Sequence, residues 1–151
     1  MSRSRRAGTN AIQLFLILAG FVLLAYYLTV SLTSRDLLWF MSRFQDEPAR
    51  IVVYQSGQRT EFLPGESGYD ELAAAAKTSL AEGFARLSST GFSARTLEDA
   101  RTQQVTLEVF FAHPVEIHTW FPTGRTTQML FPITGPHAEP PIVLLGEKGK
   151  Y

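Results

Sequence analysis

The sequence lacks cysteine altogether. Disulfide bonds, thiol nucleophiles and zinc sites with cysteine ligands are therefore excluded. A domain of about 100 residues without such cross-links has to be stabilised by its apolar core, and a chain of that length is sufficient to form one. The 151 residues leave room for one such domain together with a membrane anchor.

Charge is missing from one segment and nearly balanced in the rest. Residues 11–32 contain none of the 14 basic and 14 acidic residues. Residues 49–151 contain nine basic and eleven acidic residues, which gives a formal net charge of −2. The basic residues are scattered singly and form no stripe of the kind that binds DNA or RNA. A nucleic-acid partner is therefore not expected.

The uncharged segment, residues 11–32, predicts a transmembrane helix. Its 22 residues make a helix of about 33 Å, and the hydrocarbon core of a bilayer is about 30 Å thick. Apolar residues cover all its faces, which is not typical of a core helix in a soluble protein. The run is longer than the apolar region of a signal peptide, and the best cleavage position, after Ser31, matches poorly. We therefore predict an uncleaved single-pass anchor and a lipid bilayer as partner.

The basic residues that flank this segment indicate its orientation. Arg3, Arg5 and Arg6 lie in the tail of residues 1–10, which has no acidic residue. Only Arg35 and Arg43 follow the segment closely, and acidic residues are interleaved with them. The excess of arginine on the first side favours a cytoplasmic N-terminus and an extracytoplasmic C-terminal domain.

Residues 33–48 are predicted to be a linker at the membrane interface or a continuation of the helix. Tyr26 and Tyr27 lie near the outer end of the apolar run, and Trp39 and Arg43 follow it. Such side chains are typical of the headgroup region, where rings sit at the interface and guanidinium groups reach the water. Apolar residues recur at helical spacing through the linker, namely Leu37, Phe40, Met41 and Phe44.

Residues 49–151 predict a small α+β domain with the order β-β-α-β-β-β-β. A hairpin is expected around Ser56 and Gly57, since glycine allows the positive φ of a tight turn. A helix follows, with Ser67 as its N-cap and Gly91 just after its end. Its apolar stripe consists of Leu72, Ala76, Leu80, Phe84 and Leu87. Residues 92–104 are polar and are interpreted as a connection, with room for one helical turn after Thr96.

The second half of the domain predicts four strands, at residues 105–111, 115–120, 127–131 and 142–145. Apolar and polar residues alternate there, and the short connections favour antiparallel pairing. One helix covers one face of a sheet, so the other face is expected to lie open. Phe110, Trp120 and Tyr54 are predicted to share that open face, where they form a protein-contact surface.

Catalytic and metal-binding patterns are scarce. Glu116 and His118 share a strand face and are the only plausible acid–base pair. They are too few for zinc, which needs three or four ligands, and His137 would have to join them from a loop. No cofactor or metal is therefore expected. The sequence favours a non-enzymatic binding, accessory or regulatory module, or a small subunit of a membrane complex. The alternative is a membrane-anchored enzyme that uses Glu116 and His118.

Overall fold

A computed structural model describes residues 4–41, 44–81, 86–88, 91–119, 122–139 and 142–151. The helices are α1 (Ser4–Ser34), α2 (Tyr69–Ala81) and α3 (Ala94–Gln103). The strands are β1 (Arg50–Gln55), β2 (Gln58–Phe62), β3 (Arg86–Ser88), β4 (Val105–Glu116), β5 (Arg125–Pro132) and β6 (Ile142–Gly146).

The strands form one sheet in the order β2-β1-β4-β5-β6-β3. The first five are antiparallel, and β3 adds a short parallel strand beside β6. The α+β class predicted from the sequence is confirmed, while the strand order differs from the predicted one. The hairpin of β1 and β2 turns at Ser56 and Gly57, whose φ angles of 50° and 85° suit a two-residue turn between twisted strands.

Helix α2 packs on one face of the sheet. Tyr69, Ala73 and Ala76 are buried, and the small alanine side chains let the helix lie close to the strands. The core beneath it includes Ile51, Leu107, Val109, Phe111, Val115, Met129, Phe131 and Val143. Leu72 and Leu80 pack against this core, as their spacing predicted.

The predicted length of this helix is wrong. α2 ends at Ala81, and Leu87 belongs to β3, which pairs with β6, so Gly91 does not cap the helix. Phe84 lies outside the described residues. In the sequence, Gly83 lowers the helix propensity of this region by about 1 kcal/mol relative to alanine. A strand at this position also pairs with the outer edge of β6, so the backbone gains ladder hydrogen bonds that a longer helix would not provide.

Helix α3 covers the second face of the sheet, which the sequence had predicted to lie open. Ser93 caps the helix by accepting a hydrogen bond from the backbone N–H of Thr96 at 3.1 Å. Leu97 and Ala100 are buried. Together with Leu130, Leu144, Phe92, Ile142 and Tyr151, Leu97 forms a second apolar cluster. The interpretation of residues 92–104 as a connection with at most one helical turn is therefore wrong, since α3 has 10 residues.

Strand β4 is one long strand where two were predicted. Its register against β5 shifts between Phe110 and Val115, so an irregularity accommodates His113 and Pro114. β1 pairs with β4 only as far as Phe110. Pro114 therefore lies beyond the reach of β1, where a residue without an N–H group is tolerated.

Candidate membrane-proximal site

Helix α1 is long and apolar enough to cross a membrane between Asn10 and Ser34. None of its most apolar 18-residue window is buried inside the molecule, so α1 is not a core helix of the described fold. Large apolar side chains such as Phe21, which is 67% exposed, point away from the helix on several sides. Most of the exposed large apolar side chains among the described residues lie on α1.

The chain reverses direction directly after α1. Arg35 has a φ of 58°, the left-handed conformation that commonly ends a helix. The backbone N–H of Asp36 donates to Ser34 Oγ at 3.3 Å, and that of Leu38 donates to Asp36 Oδ1 at 2.8 Å. The N–H of Met41 then donates to the carbonyl of Leu38 at 2.7 Å. Residues 37–40 thus form a turn after α1 ends at Ser34.

The turn of residues 37–40, called the fold-back turn below, packs on the side of α1. The ring of Trp39 lies 6.0 Å from that of Tyr26, and the ring of Phe40 lies 6.3 Å from that of Tyr27. The Tyr27 hydroxyl donates to the carbonyl of Leu37 at 3.0 Å. Three of the predicted interface residues, Tyr26, Tyr27 and Trp39, are therefore brought to one level of the helix. The fourth, Arg43, lies outside the described residues.

One polar contact joins the segment after α1 to the domain. His118 Nδ1 lies 2.9 Å from Asp36 Oδ2, and both side chains are partly buried. Asp36 also lines a cleft of 340 Å³ between the end of α1 and the sheet. The other lining residues are Ser34, Arg35, Glu116, Ile117, Pro122, Thr123, Gly124 and Arg125. The sequence did not indicate this contact, because Asp36 and His118 are 82 positions apart.

Glu116 and His118 are engaged by different partners. Arg125 donates from Nε to Glu116 Oε1 at 2.9 Å, and both side chains are exposed. His118 is bound to Asp36 and does not line the cleft that contains Glu116. The enzyme alternative, which requires both side chains in one pocket, stays a prediction.

Two of the three residues predicted for protein contact are described, and they share a face of the sheet. Tyr54 and Phe110 are half-buried on the side of α3. The guanidinium of Arg50 lies 4.1 Å from the centre of the Phe110 ring, and that of Arg101 lies 5.4 Å from the centre of the Tyr54 ring. Trp120 lies outside the described residues.

A buried ion pair lies under α3. Glu108 is fully buried, and its Oε1 accepts from Arg101 Nε at 2.7 Å. Burial works against the charge on Arg101, but the hydrogen bond and the charge of Glu108 outweigh it and raise the pKa of Arg101. Burial also raises the pKa of the nearby Tyr151 phenol, so this hydroxyl stays neutral. The pair joins α3 to β4.

The described residues include no group of three or more His, Asp or Glu side chains placed to hold a metal ion. His113 lies 3.9 Å from Asp46, and the ring of His137 lies 4.6 Å from that of Phe92. The three histidines are therefore spread over separate parts of the fold.

Comparisons with protein-family models, curated proteins and solved structures found no match to this chain.

Proposed function

We propose that the chain is a single-pass membrane protein with a non-enzymatic domain. The domain acts either as a module that binds a protein partner or as a small subunit of a membrane complex. The N-terminus is cytoplasmic in this proposal and the domain is extracytoplasmic. The observation that carries the proposal is the junction between α1 and the domain. An exposed apolar helix continues into an ordered turn, and Asp36 fixes that turn to His118 of the domain.

An ordered junction of this kind suits a module that has to hold one surface at a fixed distance from a bilayer. A flexible linker would leave the orientation of the domain free, whereas the hydrogen bonds at Ser34, Asp36 and Tyr27 restrict the path of the chain. The acid–base side chains of the domain support a binding role, since Glu108, Glu116 and His118 all have charged partners. These three side chains therefore have structural roles in the fold.

The surface around Phe110 is the partner site in this proposal. Phe110 is half-buried on the α3 side of the sheet, with the partly exposed Arg50 over its ring. Arg50 also reaches Glu61 at 3.3 Å. Aromatic rings and arginine are the side chains that most often dominate the energy of a protein interface.

A photoreactive amino acid in place of Phe110 tests this site in native membranes. We expect a cross-linked species of defined mass, whose second component mass spectrometry identifies. The matched control places the same amino acid at Thr78, which is exposed on α2, and it should give no such species. Equal cross-linking at both positions, or none at Phe110, would contradict the proposed surface.

A further inference from the structure

The outer edge of β2 is the starting point for a further interaction. β2 is the last strand on its side of the sheet, and in the described part of the chain only β1 pairs with it. Its first four residues are exposed. An open edge offers unpaired backbone N–H and C=O groups to another strand.

The register of the hairpin determines which backbone groups point outward. Gln55 and Gln58 flank the two-residue turn and form its closing pair. Hydrogen-bonded and non-hydrogen-bonded pairs alternate along an antiparallel ladder, so Thr60 is bonded to Val53. The N–H and C=O groups of Arg59 and Glu61 therefore point away from β1.

These two residues complement each other in a second copy of the same strand. In an antiparallel pair centred on Thr60, Arg59 of one copy lies opposite Glu61 of the other. The outward N–H and C=O groups then face each other in two hydrogen-bonded pairs, which the ladder requires. The opposed side chains carry opposite charges, and such cross-strand pairs stabilise a sheet.

We propose that β2 pairs with β2 of a second copy of this chain about a twofold axis at Thr60. The two six-stranded sheets then form one continuous sheet. Charged residues on an edge normally prevent pairing, because an unrelated strand leaves them opposite the wrong partner. Here the edge satisfies its own charges, since Glu61 already accepts from Arg59 and Arg50 and its carboxylate has acceptor positions left for the second copy.

The existing contacts of the hairpin hold β2 ready for this pairing. The backbone N–H groups of Ser56 and Gly57 donate to the carbonyls of Gln104 and Arg101, both at 3.2 Å. The hydrogen bonds from Arg59 and Arg50 to Glu61 lower the pKa of that carboxyl, so it carries its charge at neutral pH. Pairing with a second copy therefore costs little conformational entropy of the β2 backbone.

A single introduced thiol tests the register, because the chain has no cysteine of its own. The two Thr60 residues would form a non-hydrogen-bonded pair with Cα atoms about 4.5 Å apart, which is within the range of a disulfide. We expect the 151-residue chain carrying Thr60→Cys to give a disulfide dimer when it is oxidised in detergent micelles and in native membranes. The control is Gln58→Cys, whose two copies would lie about 13 Å apart along the strands and should stay monomeric. Monomeric Thr60→Cys, or equal dimer from both variants, would overturn the proposal.

A charge exchange tests the pairing itself. In the Thr60→Cys chain, Arg59→Glu places two carboxylates opposite each other, and we expect the dimer fraction to fall about tenfold. Adding Glu61→Arg restores opposite charges in both pairs and should restore the dimer. An undiminished dimer with Arg59→Glu, or no recovery in the double exchange, would contradict pairing through this edge. Circular dichroism of each variant shows whether the fold is retained.

Discussion

At the residue scale, the Arg101–Glu108 pair is a contact whose loss should destabilise the domain. Glu108 is fully buried, and Arg101 reaches it from α3 with Nη2 at 2.6 Å. A buried ion pair contributes little net stability, since desolvation opposes the attraction. Removal of one member is costly because the other charge is left buried without compensation.

Arg101→Ala should therefore lower the free energy of unfolding by about 3–5 kcal/mol, as measured by urea denaturation in detergent. The matched control is Arg125→Ala, which removes the exposed pair with Glu116 and should cost at most about 1 kcal/mol. If the two variants are equally stable, Glu108 is not held as a buried anion.

The sequence could not indicate this pair. Glu108 alternates with Leu107 and Val109, and alternation predicts that a polar residue on a strand faces water. The side chain is buried because Arg101 approaches from a helix that the sequence interpretation treated as a connection. Alternation alone would place Glu108 in water, because it takes no account of the neighbouring helix α3.

At the scale of elements, the strands were more predictable than the helices of the domain. Local signals predicted these strands. They are the turn residues Ser56 and Gly57 and the period-two alternation of β4. Helix α3 has only Leu97 and Ala100 as buried residues, so its apolar periodicity is weak. Its stability depends on packing against the second face of the sheet, a contact that no local pattern encodes.

Leu97→Ala tests the role of α3 as the cover of that face. Leu97 packs against Leu130 and Leu144, so its truncation should lower the free energy of unfolding by about 2–5 kcal/mol. Glu98→Ala changes an exposed residue one position further along and should stay within about 0.5 kcal/mol of the parent. Urea denaturation followed by circular dichroism measures both. A small effect of Leu97→Ala would mean that α3 does not cover the face in solution.

At the scale of the whole molecule, the apolar surface of α1 and the fold-back turn define where a bilayer would begin. The stretch from Asn10 to Tyr27 is about 27 Å long as a helix, close to the hydrocarbon thickness of about 30 Å. Tyr26, Tyr27 and the rings of the turn then lie together at the headgroup level. Leu37 and Phe40 remain 66% and 59% exposed in the structure, and lipid would cover them there.

This arrangement predicts the membrane depth of Trp39. In a chain with Trp120→Phe, Trp39 is the only tryptophan, and its emission can be quenched by bromine atoms on lipid acyl chains. We expect bromines near the headgroup end to quench Trp39 more than bromines near the methyl end, because the fold-back turn lies at the interface. In a second reporter, Phe21 is changed to Trp, and Trp39 and Trp120 are both changed to Phe. It should show the opposite order, since position 21 lies about 9 Å from Tyr27 along α1, on the side of the bilayer centre.

The two reporters separate the possible failures. If neither is quenched in reconstituted vesicles, α1 does not span the bilayer and the proposed anchoring is wrong. If the Phe21→Trp reporter is quenched and Trp39 is not, the helix is inserted but the turn stands clear of the lipid. Only shallow quenching of Trp39 together with deep quenching at position 21 fits a domain whose height is set by Tyr26, Tyr27 and the fold-back turn. The contact between Asp36 and His118 would then hold the sheet directly above the headgroups.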